Sequence, residues 1–368
     1  MIRYLKRIFT ILSILVISLF FFVLTQNHVD HNTLRIQGFY QEEKDSLDVI
    51  FVGASDVFTG YSAGLAYGEY GFTSYPYAVD ANNFRFFKSQ IKEVLRTQQP
   101  KCLVIETTGT SGAFTESMDD EQLAVMRQYT DIMPLSKNKI DTINEFVTKD
   151  KITYYVPAFV HCGKMNNFED TIVKYSQTLR GYTYLKGIVT TNSKQKYDKI
   201  WNVNDDLAPK ALPEKGYSII NDLLDYCETL NCKVIFTRFP HRITNEDEYD
   251  KLKQENEIGR VITSRGFDFI NLDHAVKEIG LDLENDFYSD SHLNAHGQVK
   301  LTRYFSKILS EKYGVGKSEL SSQNTERWNT SYEYTQLYYN YYDLHENDSA
   351  IFYLDEKPDL IKELNALK

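Results

Sequence analysis

The sequence predicts an α/β protein built on a mostly parallel sheet with helices on both faces. Short apolar runs of strand length recur at 47–53, 102–105 and 233–237, the first stopped by Gly53 and the second by Thr107-Thr108-Gly109. Between them lie segments whose apolar residues repeat with helical spacing, such as Phe84, Phe87, Ile91 and Leu95. Strands alternating with helices need crossover connections, which make neighbouring strands parallel and bury both faces. Ligands of such sheets bind at the carboxyl ends of the strands.

The elements follow in chain order. Residues 8–24 carry no charge and are just long enough, at about 1.5 Å per residue, to span a bilayer core. Arg3, Lys6 and Arg7 precede them, so the positive-inside rule predicts a signal anchor over 1–25 with the rest of the chain extracytoplasmic. Thr25-Gln26-Asn27 lacks the small-x-small pattern of a cleaved signal peptide. Residues 26–46 read as a polar, irregular stalk. A strand at 47–53 opens the main domain; 72–78 forms a second, 82–96 a helix before Pro100, and 102–105 a third strand. Residues 113–215 read as a mostly helical insertion. A helix near 216–230, strands at 233–237 and 267–272, and a helix over 246–264 restore the rhythm. Leu301, Tyr304, Phe305, Ile308 and Leu309 share one face of a last helix, capped near Gly314. The 314–368 extension is helical and aromatic, with Tyr334, Leu337, Tyr338 and Tyr341 at helical spacing; this face either packs on the domain or offers a sugar-stacking platform.

Composition narrows the function. With 368 residues, 42% hydrophobic and 25% charged, the chain is globular rather than disordered. Its net charge of −10 excludes a general nucleic-acid binder, which needs clustered Lys and Arg. Cys102 lies in an apolar run; Cys227 and Cys232 could bridge outside the cytoplasm; no Cys pair has CxxC spacing.

Two segments carry chemistry-bearing residues. Gly53-Ala54-Ser55-Asp56 directly follows the first strand, where a turn exposes a hydroxyl and offers backbone N–H groups to an oxyanion. Tyr288-Ser289-Asp290-Ser291-His292-Leu293-Asn294 precedes the last helix and sets a histidine base beside a carboxylate. Ser55 could otherwise be a turn-former, and Asn294 a helix cap. His292 and His296 with Asp290 could suggest a metal site, but no third strong ligand is local, so no metal or cofactor is expected. Arg238 and His241 follow the 233–237 strand and could line the pocket mouth. His161 is a further candidate substrate contact, with solvated loops as the plainer account of all three. Arg127 and Asp131 fit a helical i, i+4 ion pair.

In this order and placement the two segments resemble the SGNH (GDSL-like) hydrolase family over roughly 47–313, nearest to membrane-anchored bacterial members that serve lipoteichoic acid D-alanylation and alginate O-acetylation. The resemblance implies a flavodoxin-like, three-layer domain in which Ser55 is the nucleophile, His292 the base and Asp290 its partner. Ser289 stands where the common Asp-x-x-His pattern has Asp, whereas Asp290 and His292 match an Asp-x-His spacing. The family's oxyanion Gly and Asn regions read Ala78-Val79-Asp80-Ala81-Asn82-Asn83 and Thr107-Thr108-Gly109-Thr110 here. Asp56, Ala81, Asn82 and Gly109 are therefore the oxyanion candidates. Asn202-Val203-Asn204-Asp205 imitates the Asn motif about a hundred residues too late in the topology. The implied function is an extracytoplasmic serine esterase or O-acyltransferase acting on acyl esters of a cell-envelope glycan or teichoic acid. The membrane would hold it through the N-terminal helix, beside a membrane protein that donates acyl groups. The alternative is a non-catalytic envelope-assembly or glycan-binding protein on the same fold.

Overall fold

The computed structural model describes residues 2–24, 30–108, 114, 118–161, 182–201, 203 and 207–344, with side chains from 3–18 in the first segment and to 343 in the last. Helix α1 (Ile2–Leu24) leads to α2 (His31–Gln41), β1 (Val49–Gly53), α3 (Ser55–Gly60), α4 (Ala63–Tyr70) and β2 (Ser74–Ala78). Then come α5 (Phe87–Val94), β3 (Cys102–Glu106), α6 (Asp120–Thr130), α7 (Lys137–Phe146), α8 (Ile152–Tyr155) and α9 (Ala158–His161). The chain continues with α10 (Glu214–Glu228), β4 (Lys233–Arg238), α11 (Glu246–Ser264), β5 (Asp268–Asn271), α12 (Val276–Ile279), α13 (Ala295–Glu311) and α14 (Ser322–Leu344).

All five strands are parallel, in the order β2-β1-β3-β4-β5, the flavodoxin-like arrangement. Alternation along each strand sends side chains to opposite faces, and each face is covered. Ile50, Val52, Leu103, Ile105, Val234 and Phe236 meet α2, α5, α10 and α11 on one side. Val49, Phe51, Cys102, Val104 and Ile235 meet α3, α4 and α13 on the other. The strand order reverses between β1 and β3, and the crevice at their carboxyl ends is the position such a sheet offers a ligand.

Two expectations change, and the tail takes the first of its two alternatives, packing on the domain. The 26–46 segment is no irregular stalk: α2 runs back along β2 with Ile36 and Phe39 in the core. Its polar residues are buried because they are paired. Arg35 lies over the Phe58 ring and donates from Nε to the Gly187 carbonyl (2.8 Å), which a reading of hydropathy cannot detect. Cys227 and Cys232 are free thiols, not a bridge. The tail's aromatic face is internal: Tyr338 and Tyr342 are buried against the 185–190 segment, where the Tyr342 hydroxyl donates to the Thr190 carbonyl (2.7 Å). Residues 345–368 of the extension lie outside the described residues.

Helix α1 is 23 residues long, and its side chains from Tyr4 to Ile17 expose apolar surface all round. No helix among the described residues is long and apolar enough to cross a membrane, side chains being described only to residue 18 here.

Candidate active site

The site starts with a glycine. Gly53 ends β1, and a Cβ there would come within 2.8 Å of Glu106 Cβ and 2.6 Å of Val57 Cγ2. Only a bare backbone lets the chain turn so closely over β3. Ala54 is extended and α3 begins at Ser55, which places the Ser55 hydroxyl at the helix start with first-turn N–H groups around it. The carbonyl of Gly53 accepts a hydrogen bond from the Asn82 amide (2.8 Å), tying this turn to the loop after β2.

Across the crevice, residues 287–293 form a tight loop closed by a bridge between Phe287 and Leu293 and by the Tyr288 N–H donating to the His292 carbonyl (3.0 Å). It brings His292 Nε2 to 2.7 Å from Ser55 Oγ. The Tyr288 ring stacks on the imidazole at 5.4 Å and 12°. Asn294 then caps α13 by accepting the His296 and Gly297 N–H groups, and this cap leaves His292 free to face Ser55.

The third member differs from expectation. Nδ1 of His292 meets the Ser289 hydroxyl at 2.8 Å, with Ser291 Oγ at 3.4 Å. Among the described hydrogen bonds no Asp290 carboxylate reaches it. The reason is the tightness of the loop: a three-residue separation folds Ser289 under the ring. Asp290 lies on the cavity wall, where its carbonyl accepts the Arg242 N–H (2.7 Å). Ser289 Oγ also accepts the N–H of His292 (3.0 Å) and of Ser291 (3.3 Å). A hydroxyl has two acceptor sites and one proton. With both sites filled, its proton points to Nδ1, and a neutral imidazole then carries its own proton on Nε2, facing Ser55. The tautomer suited to a base requires Ser289 to release one backbone N–H, the longer being that of Ser291.

Beneath the pair lies a buried acid–base cluster. Asp56 accepts from Thr108 Oγ1 (3.1 Å) and lies 2.7 Å from His241 Nε2. Burial would raise its carboxyl, but His241 and then His292 overcome this and hold it well below the usual carboxylate range. Burial would lower His241, but Asp56 outweighs it and the imidazole is raised. Glu106 accepts the Thr108 N–H (3.0 Å) on one oxygen, while the other is buried without a partner. Burial, with Asp56 second, pushes Glu106 up to about 8, which favours its protonated form at neutral pH.

The other candidates separate. Asp56 as an oxyanion group can offer only its main-chain N–H, because its carboxylate is negative and engaged. Asn82 is excluded as a side-chain donor, since its amide hydrogens go to Gly53 and to Gln90 Oε1 (2.9 Å). Ala81 lines the cavity with a left-handed φ of +50°, the conformation a glycine adopts without strain. Gly109, Cys162 and the Asn202, Asn204 and Asp205 positions lie outside the described residues. Arg238 is buried in an ion pair with Asp273, and its terminal nitrogen reaches His241 Nδ1 (3.4 Å). Both also line the cavity, as the sequence reading expects, with His241 held against Asp56 and Arg238 against Asp273. His161 lines a different cavity and pairs with Asp131 (3.0 Å), which also takes the Arg127 ion pair (3.3 Å). His296 turns away from His292 into another cavity. Ser289, Tyr288, Glu106 and the partnership of His241 with Asp56 are what the sequence reading missed. Only Ser289 left a signal, its place three residues before the histidine.

The cavity over Ser55 and His292 is about 490 Å³. Gln122 and Val125 of α6 form its outer wall, and Glu248, Lys251 and Glu255 of α11 its far side. It is a polar cleft with a hydroxyl–imidazole pair at its floor. The chain matches no known family model and no curated protein.

Proposed function

We propose that this protein is a serine esterase or O-acyltransferase of SGNH type, acting outside the cytoplasm on acyl esters of a cell-envelope glycan or teichoic acid. The observation that carries the reading is the 2.7 Å approach of His292 Nε2 to Ser55 Oγ at the carboxyl end of β1. Once Ser289 releases the Ser291 N–H and accepts from Nδ1, Nε2 is free of its proton, so Ser55 Oγ attacks the acyl carbonyl and passes its own proton to Nε2. His292 returns that proton to the departing alcohol, leaving an acyl-Ser55 ester. Attack by water releases the acid; attack by a sugar hydroxyl completes a transfer. The negative charge of Asp56 below the ring attracts the imidazolium formed in both steps, a role that the neutral Ser289 cannot fill. The main-chain N–H groups at the start of α3 are placed for the oxyanion. The polar cleft suits a hydroxylated substrate better than a long acyl chain. The all-round apolar surface of α1, with Arg3, Lys6 and Arg7 before it, supports a membrane anchor that leaves the domain outside.

The test is labelling by a fluorophosphonate probe, with p-nitrophenyl acetate turnover alongside, in the wild type, Ser55→Ala and His292→Ala. Labelling of the wild type that both substitutions abolish is expected. A folded wild type that neither labels nor turns over ester would overturn the enzymatic reading and favour the non-catalytic one, for which the neutral orienter Ser289 is the supporting observation. Tyr338 itself is buried and offers no sugar platform to that second reading.

A further inference from the structure

Outside α1, the exposed large apolar side chains among the described residues concentrate in one short stretch. Leu135 is 74% exposed, Ile140 39%, Ile152 56% and Phe159 64%. They are not scattered. Ile140 and Asn144 share a face of α7, and Asn144 Oδ1 accepts from Lys151 Nζ (2.9 Å) and the Tyr155 hydroxyl (3.4 Å) of the next turn. Ile152, Tyr155, Val156 and Phe159 then continue along α8 and α9, each at least partly exposed. Exposed charged residues of both signs, Lys137 paired with Asp141, Glu145, and Lys149 beside Asp150, lie in the same stretch. An exposed apolar and aromatic strip edged by charged side chains has the amphipathic character of a surface that sits in a lipid headgroup layer.

The position of the strip says what covers it. Val160 and His161, at the end of α9, line a cavity together with Asp30 and Thr33 at the start of α2. Five residues lie between Leu24, the end of α1, and Asp30, and six fully extended Cα steps cover at most about 20 Å. If α1 spans the bilayer, the strip lies within reach of the surface from which α1 emerges. The active site is on this same side. His31 and Asn32 bond to Asp80, one residue before Ala81 on the cavity wall. Helix α6 separates the two cavities, with Gln122 and Val125 facing one, Ala124 and Gln128 the other.

We infer that the exposed face of α7–α9 seats on the lipid surface beside the anchor and holds the mouth of the Ser55 cavity towards the membrane. This rests on the anchor reading given above. The substrate or acyl donor then arrives along the membrane, as a lipid-linked or membrane-bound glycan, rather than from bulk solvent.

The test uses the full chain in vesicles of phosphatidylglycerol and phosphatidylethanolamine. The photo-cross-linker p-benzoyl-phenylalanine replaces, one at a time, Phe159, Ile152, Phe9 in α1, and Asn231 at the opposite, amino-terminal end of the sheet. Lipid adducts are read by mass spectrometry, and an unchanged thermal midpoint shows that each variant is folded. Adducts at 9, 152 and 159 but not at 231 are expected. Adducts at 9 alone would overturn the seat and leave the anchor standing. Cross-links from 159 into a second copy, or into residues 162–181 of the same chain, would overturn the seat too, by naming a different occupant. No adduct at 9 would overturn the anchor reading; adducts at 152 and 159 would then still support the seat, and their absence would sink both.

Discussion

At the scale of single residues, Ser289 is the most informative position in the site. Its hydroxyl holds Nδ1 at 2.8 Å but can present its proton there, favouring the imidazole tautomer unable to accept a proton from Ser55. An aspartate only accepts, and so would impose the useful tautomer and carry charge for the imidazolium. Ser289→Asp is therefore expected to raise p-nitrophenyl acetate turnover by about tenfold or more, judged by how much a serine hydrolase loses when its orienting carboxylate is neutralised. Ser289→Ala should lower it, and a result in which Asp and Ala behave alike would count against the tautomer argument. Glu106 yields a second residue-scale expectation. Its folded value of about 8 lies above the ordinary carboxyl value. Between the two the unfolded chain releases a proton that the folded chain keeps, so stability falls as pH rises through this window, by at most about 1.4 kcal/mol per pH unit. The raised His241 contributes in the same direction above its ordinary value. Glu106→Gln should flatten the fall in urea midpoint between pH 5 and 8 without abolishing it; an unchanged slope would show that Glu106 is ionised throughout.

At the scale of elements, the turn from β1 into α3 and the packing of α14 are the sensitive joints. Gly53→Ala forces a methyl into the side chains of Glu106 and Val57, both buried in the core. Overpacking of this kind costs about 1–3 kcal/mol and displaces Ser55. Both a lower unfolding midpoint and loss of probe labelling should follow, whereas Ala81→Gly, which relieves a left-handed alanine, should keep labelling. Helix α14 meets α4 through Gly64 and Gly68, where added methyl groups would strike Thr335 and Tyr332. Its Trp328, Leu337, Tyr338 and Tyr342 are buried. Tyr338→Ala, which removes a fully buried ring and its acceptor for the Thr190 N–H (3.1 Å), should cost about 3–5 kcal/mol in denaturant unfolding. A change under about 1 kcal/mol would place this helix outside the cooperative fold.

At the scale of the whole molecule, the domain begins at α2, before β1. Helix α2 supplies core residues to one face of the sheet, and Arg35 joins Asn32, Ala78 and Gly187 in one buried network. A chain of residues 30–368 should therefore unfold cooperatively. One of residues 47–368, which would be intact if the preceding segment were a stalk, should lose its thermal transition or shift it down by many degrees. Equal midpoints for the two would refute the assignment of α2 to the core.

Much of this architecture was legible from the chain alone. The five strands, the helices at 246–264 and 295–311, and the order of a serine after β1 and a histidine before the last helix follow from local patterns. Apolar runs, helical periods and glycine stops act over a few residues, and a sequence displays them directly. What only the tertiary structure decided depends on neighbours far apart in sequence. Arg35 is buried because Gly187 and Phe58 receive it; His241 is held in the cavity wall because Asp56 lies against it. Ser289 rather than Asp290 holds His292 because a tight loop, closed by a bridge between Phe287 and Leu293, decides which side chain lies under the ring. Pairing energies of buried polar groups are set by geometry at the ångström scale, and spacing along a chain does not encode that geometry until the chain has folded.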